Sequence, residues 1–223
     1  MRIIFLLFLI FFSMRLTAQQ KRTIQFIPIF NGAPLKLDTE YYTAKDTILI
    51  ETLKFYLSEI QFCKDNVVLD RLEKKYHLLD LMHPTSLILK HKSKNDFSSI
   101  RFKIGVDSTT NVSGAFGEDL DPTNGMYWTW QSGFINFKLE GRSRQSPARQ
   151  HRFQLHIGGY KAPFNTLQEV ELKTSKKKII LSIDIENLLT DVGLTERYEV
   201  MSPSENAVSI ARYIAHNIKL KQR

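Results

Sequence analysis

Short runs rich in β-branched and aromatic residues, broken at close intervals by turn chemistry, constrain this chain more than any other feature. Residues 23–30 form one such run, and it ends at Asn31-Gly32-Ala33-Pro34, a turn signal. Residues 47–62 read as one long strand or two short ones. Residues 67–69, 76–81 and 99–105 follow, then a polar, glycine-containing loop over 106–125. Runs at 126–131, 134–140, 152–157, 168–172 and 178–185 complete the set. Such spacing predicts an all-β fold, an antiparallel β-sandwich or open barrel. Two helical pieces are expected besides. Residues 186–192 predict a short helix, and Ala207, Ile210, Ala211, Ile214 and Ile218 repeat at helical spacing near the C-terminus. Ser202-Pro203-Ser204-Glu205 reads as a capping box, with Ser202 as the cap and Pro203 at the first helical position.

Cys63 is the only cysteine, so no intramolecular disulfide can staple the fold and burial must hold it. Cys63 is expected to be a buried small hydrophobe. The chain has 223 residues, 43% of them hydrophobic and 11% aromatic, which argues against disorder and allows one self-sufficient core. Arg2 is followed by apolar residues 3–12, a run of signal-peptide size and too short to span a bilayer. Residues 1–18 therefore read as a cleavable secretory signal, with small Thr17 and Ala18 at its end. Residues 20–223 read as one mature domain, periplasmic or secreted, with no transmembrane segment after cleavage. Formal net charge is +8, and Lys173 to Lys178 form a local basic cluster. That cluster lies between two strand-like runs and predicts a solvated hairpin tip. Nucleic acid is not expected as a partner of an exported chain.

No phosphate loop, Gly-x-Ser-x-Gly elbow or His-Glu-x-x-His motif is present. Nothing pairs a nucleophile with a base, so an enzyme is not expected. Six histidines occur, none in a close-spaced pair of the zinc type. His156 lies in Phe153-Gln154-Leu155-His156-Ile157-Gly158-Gly159-Tyr160. Phe153, Leu155 and Ile157 alternate there, so His156 points to the opposite face. His216 falls off the apolar stripe of the C-terminal helix. The densest constellation runs over 119–134 and holds both tryptophans. In a strand, Trp128 and Trp130 would share one face. Asp119, Asp121 and Asn124 offer oxygen ligands on a glycine-containing loop. Calcium could bind there, although the spacing departs from an EF-hand.

These stretches resemble the MbnP-like copper-binding protein family, associated with methanobactin systems. The matching segments are Phe55-Tyr56-Leu57-Ser58-Glu59-Ile60, Tyr76-His77-Leu78-Leu79-Asp80-Leu81, Phe102-Lys103-Ile104-Gly105-Val106, 121–141, Leu155 to Tyr160, and the tail from Val200-Met201-Ser202-Pro203. The most specific is Met126-Tyr127-Trp128-Thr129-Trp130-Gln131-Ser132-Gly133-Phe134. The resemblance implies an exported β-sandwich that binds copper for acquisition or storage. It implies histidine ligands beside a kynurenine made by oxidising a tryptophan, and a diheme cytochrome c peroxidase-like partner enzyme. By position His156 and Trp130 are the metal-site candidates, and Trp130 or Trp128 is the candidate for oxidation. Relatives carry a histidine near or before the tryptophan motif, whereas 106–131 contains none here. A second imidazole would come from His77, His83 or His151 by folding. The alternatives are a substrate or partner of the diheme enzyme that binds no metal, or a structural β-sandwich binding module.

Overall fold

The computed structural model describes residues 20–93, 95–114, 116–130 and 133–221. The signal segment 1–18 lies outside the described residues. Two sheets face each other, and the larger curls into a half-barrel. The small sheet runs Ile218–Leu220, Lys178–Ile183, Gln20–Phe26, Ile88–Ser93. Its two inner strands, Gln20–Phe26 and Lys178–Ile183, are parallel. The large sheet runs Gln168–Lys173, Ser99–Ile104, Thr47–Lys64, Gly133–Ser143, Arg152–Gly158, Glu199–Val200. Strands Glu40–Tyr42, Val67–Arg71 and Tyr76–Asp80 also pair with the long strand Thr47–Lys64.

That long strand explains why its sequence alternates only in pieces. Ile48 and Ile50 face the core, then Leu53, Phe55 and Leu57, then Ile60 and Phe62. The parity switches twice. The ladder shifts register opposite Glu140/Gly141, and again beyond Ser58, where Glu59 takes a positive φ of 49°. Each bulge adds a residue and bends the strand, so one continuous run can wrap the core while keeping its apolar side inward. Cys63 is fully buried at its end, as expected.

Some expectations are corrected. The lysine cluster is not a hairpin tip, because Gln168–Lys173 and Lys178–Ile183 belong to different sheets. Residues 174–177 cross between the sheets. The C-terminal helix is Glu205–Asn217, and its cap is Ser204, which accepts from the Ala207 N–H, rather than Ser202. Pro203 is held outside the helix against Gly159, where an added Cβ would come within 3.0 Å of the proline ring. The strand expected over 126–131 reduces to Tyr127–Trp128, with Trp130 beyond it. The loop expected over 106–125 contains a helix, Ser108–Ser113, and two 3-10 turns. Asp107 caps that helix from the Thr110 N–H, which explains a helix start in a polar stretch. No helix among the described residues is long and apolar enough to cross a membrane.

The excursion between Ile104 and Gly133 positions the site. It folds back over the outer face of the large sheet and builds a second apolar cluster there. Val106, Leu120, Met126 and Trp128 pack with Tyr56, Phe134 and Ile135 of the sheet. The outer face is therefore covered at one end by a segment that carries both tryptophans.

Candidate functional site

Alternation places His156 on the outer face, while Phe153, Leu155 and Ile157 enter the main core. Register then sets its neighbours. His156 lies opposite Lys138, Lys138 opposite Lys54, and Lys54 opposite Asp80. The adjacent row is Gln154, Glu140 and Thr52. Glu140 is the hub of these two rows. Its Oε1 lies 2.7 Å from His156 Nε2, 3.4 Å from Gln154 Nε2 and 3.6 Å from Lys138 Nζ. Burial is the strongest single influence on the Glu140 carboxyl and opposes its ionisation. The His156 hydrogen bond, the Lys138 charge and Thr52 together outweigh it and hold the pKa down at about 2. The pair fixes the ring as a carboxylate fixes a metal-ligating histidine, and His156 Nδ1 makes no hydrogen bond among the described residues.

The lysines do a second job. Lys54 Nζ donates to the Asn124 carbonyl at 3.3 Å and Lys138 Nζ to that of Gly125 at 3.4 Å. Both tie the turn before the tryptophan motif onto the sheet. Tyr56 donates to the Asp119 carbonyl at 2.9 Å, and burial keeps its phenol protonated. Two buried asparagines fasten the ends of the excursion. Asn111 Nδ2 donates to the Val106 carbonyl and its Oδ1 accepts the Phe134 N–H. Asn136 Oδ1 accepts the Val106 N–H while its Nδ2 donates to Thr166 Oγ1.

Trp128 is delivered by this fastening. It pairs with Gly133 and is 5% exposed. Its ring rests on Gly158, where an added Cβ would stand 2.7 Å and 2.9 Å from ring carbons. Gly158 shares a strand face with His156, two positions away, so the indole is seated about 7 Å along the same face from the His156 backbone. Trp128 Nε1 is buried without a hydrogen-bond partner. Trp130 stands over Trp128 with ring centroids 5.8 Å apart, and it is 66% exposed. A cleft of about 170 Å³ opens beside Trp128, with Tyr160, Phe164 and Pro203 in its wall.

The structure sets Trp128 and Trp130 above Gly158, two residues along the strand from His156, and brings none of the other histidines there. His77 lies opposite Leu57, a core-facing residue, so it projects from the other side of the sheet. His83 approaches Asp80 at 3.9 Å, and Asp80 lies three strand spacings, about 14 Å, from His156. His151 precedes the strand, about 16 Å along it, with Nδ1 3.0 Å from the Ser146 carbonyl. The two aspartates of the 119–124 loop are engaged in structural contacts. Asp119 accepts from the Leu78 N–H and pairs with Lys74 at 3.0 Å, and Asp121 caps the turn at Thr123; Asn124 is held through its amide N–H, which donates to the Glu118 carbonyl. Among the described residues no group of three or more His, Cys, Asp or Glu is placed to hold a metal ion. The described histidine and carboxylate side chains alone thus do not make a finished copper site.

Sequence reasoning missed Glu140, Asn111 and Asn136. Glu140 becomes a partner of His156 only once register is known. Asn136 carries a weak signal, a polar residue amid Phe134, Ile135 and Phe137, whereas Asn111 lies in a polar run that hides it.

The family model MbnP matches residues 19–202. No curated protein matches the chain. Among solved structures, MbnP from Methylosinus trichosporium matches at a TM-score of 0.58 and 11% identity, covering 78% of each chain. At that identity the likeness shows a shared fold. The family match spans most of the sequence, from just after the N-terminal segment to the loop before the last helix, and on that match the chain belongs to the MbnP family.

Proposed function

We propose that this chain is an exported copper-binding protein, acting in copper acquisition or storage through His156 and a kynurenine made from Trp130. One observation carries this: the tryptophan pair and the Glu140-held imidazole occupy the same corner of the sheet's outer face. Export rests on residues 1–18, and the copper role rests on the family and this corner. His83 reaches that face only at Asp80, about 14 Å from His156, so copper at His156 needs donors that the other histidines do not supply. A kynurenine supplies an aromatic amine and a ketone, nitrogen and oxygen donors that suit copper beside an imidazole. Trp130 is favoured over Trp128 because its ring is exposed to an oxidising partner, a diheme cytochrome c peroxidase-like enzyme, whereas Trp128 is sealed.

Protein from the native host tests this directly. Intact mass reports whether a tryptophan has lost one carbon and gained one oxygen, and metal analysis reports copper. A modified chain with stoichiometric copper that His156→Ala loses is the expected result. An unmodified chain without copper would sink the proposal. A modified chain without copper would instead support a second reading, a metal-free substrate of the same partner, which the exposure of Trp130 favours.

A further inference from the structure

A second feature of the fold lies away from the tryptophan corner. At one open end of the half-barrel, between the small sheet and strands Val67–Arg71 and Tyr76–Asp80, a basin of about 920 Å³ opens to solvent. That volume lies within the range of small-molecule sites. Six cationic side chains line it: Lys21, Arg22, Arg71, Lys74, Lys90 and Lys92. Against them stand Glu73 and Glu118, and Glu118 is already paired with Lys74 at 3.4 Å.

Surface lysines alone would mean little, but this basin has a built floor. Arg22 is 2% exposed and forms no direct ion pair among the described residues; burial opposes its charge, and only the more distant carboxylates of Asp96 and Asp70 favour it. Its guanidinium lies over Phe97 and Phe62, 4.3 Å and 5.6 Å from their centroids, and donates to the Asn95 carbonyl. Its Nε–H has no partner. Burying a charge without a direct ion pair is costly, and burying a free donor adds to that cost. His77, in the same wall, also has a buried ring nitrogen, Nε2, without a partner. Burial pushes the His77 pKa down, and the neutral ring carries one N–H, which meets an anion at Nε2 in the tautomer that places the proton there. His91 is not free in this way, since it is bound to Asp70 at 2.9 Å. Two unmatched buried groups therefore sit in one cationic basin.

We propose that this basin binds a small multivalent oxyanion, bearing phosphate or carboxylate groups, with Arg22 and His77 meeting it at the floor and the lysines at the rim. The anion would supply the direct ion pair that Arg22 lacks and a partner for the free Arg22 Nε–H and the His77 Nε2. Guanidinium suits such oxygens through charge-assisted hydrogen bonds.

Inorganic pyrophosphate is the probe, titrated calorimetrically into the purified protein. Saturable one-site binding is expected, tighter than about 1 mM. Arg22→Gln should weaken it about tenfold or more, as loss of a charge-assisted bond requires. Because Arg22→Gln touches the buried floor and could unfold the chain, the rim pair Lys74→Ala/Lys92→Ala provides a second variant with the same expected direction. Lys177→Ala, in the basic crossover at another part of the surface, should leave affinity unchanged. His77 ring resonances should move on saturation. Absent saturation, equal loss in Lys177→Ala, or unmoved His77 resonances would each overturn the site. Binding to phosphatidylglycerol vesicles without binding of soluble pyrophosphate would overturn it too, by making the surface a membrane contact.

Discussion

Gly158→Ala tests the seat of Trp128. The added methyl carbon would stand 2.6 Å from the Phe134 carbonyl oxygen and 2.7 Å and 2.9 Å from two indole carbons. Comfortable carbon contacts are about 3.5–4.0 Å, so the ring must retreat by about 1 Å. The carbonyl cannot retreat as easily, because Ile135 and Gly158 are register partners. Overpacking of this kind costs about 1–3 kcal/mol. A cost of about 2 kcal/mol lowers Tm by about 4–8 °C for a domain of this size. A Trp130→Phe background leaves Trp128 as the sole indole, buried in its seat. Adding Gly158→Ala should shift its emission to the red and open it to quencher. Gly117→Ala is the control, since nothing lies within 4 Å of its added carbon. It should change stability by less than about 0.5 kcal/mol. A Gly158→Ala protein that melts with the wild type and keeps its emission would refute the placement of Trp128 on this strand.

Three further outcomes follow from the same corner. The Glu140 carboxyl is held down at about 2, so its stabilisation is full above the ordinary glutamate range and drains away as pH falls toward that value. Urea denaturation across pH should give Glu140→Gln a flatter acid slope between about pH 5 and 2, with a neutral-pH loss on the order of 3 kcal/mol; an unchanged slope would contradict the pairing with His156. Trp128→Ala should cost about 3–5 kcal/mol in thermal melts, while Trp130→Ala stays near wild type because its ring is already in solvent. Asn111→Ala strands the Phe134 N–H and the Val106 carbonyl, so a loss of about 2–4 kcal/mol is expected, with faster amide exchange at Phe134.

The strands and the all-β class were legible because half-buried strands must alternate, and most of the expected runs sit where the sequence put them. What alternation could not show is where it breaks. The bulges near Glu51 and Glu59 reset the face of Thr47–Lys64, and only the paired ladder reveals them. Strand Ile88–Ser93 went unread because Lys90 and Lys92 fill its outer face, leaving few apolar residues to mark it. Partnerships between distant segments were also beyond reach. His156 was identifiable by its face, yet Glu140, sixteen positions earlier, joins it only through register. The tryptophan motif stood out by composition, but its division into one sealed and one exposed ring depends on where Tyr127–Trp128 ends.

That geometry makes the copper proposal unusually easy to dissect. His77 and His156 both belong to segments that resemble the family, and sequence alone made both candidates for one site. The sheet separates them: His77 shares the face of Leu57, and His156 the opposite face with Lys138 and Glu140. A metal bound by one cannot be bound by the other without breaking the strand between them. In the oxidised protein, His156→Ala should therefore abolish copper retention, and His77→Ala should leave it intact while weakening pyrophosphate at the basin. Dialysis against a copper chelator followed by metal analysis separates these outcomes. If both variants lose copper equally, the two imidazoles converge in solution, and the assignment of opposite faces to Tyr76–Asp80 and Arg152–Gly158 is wrong.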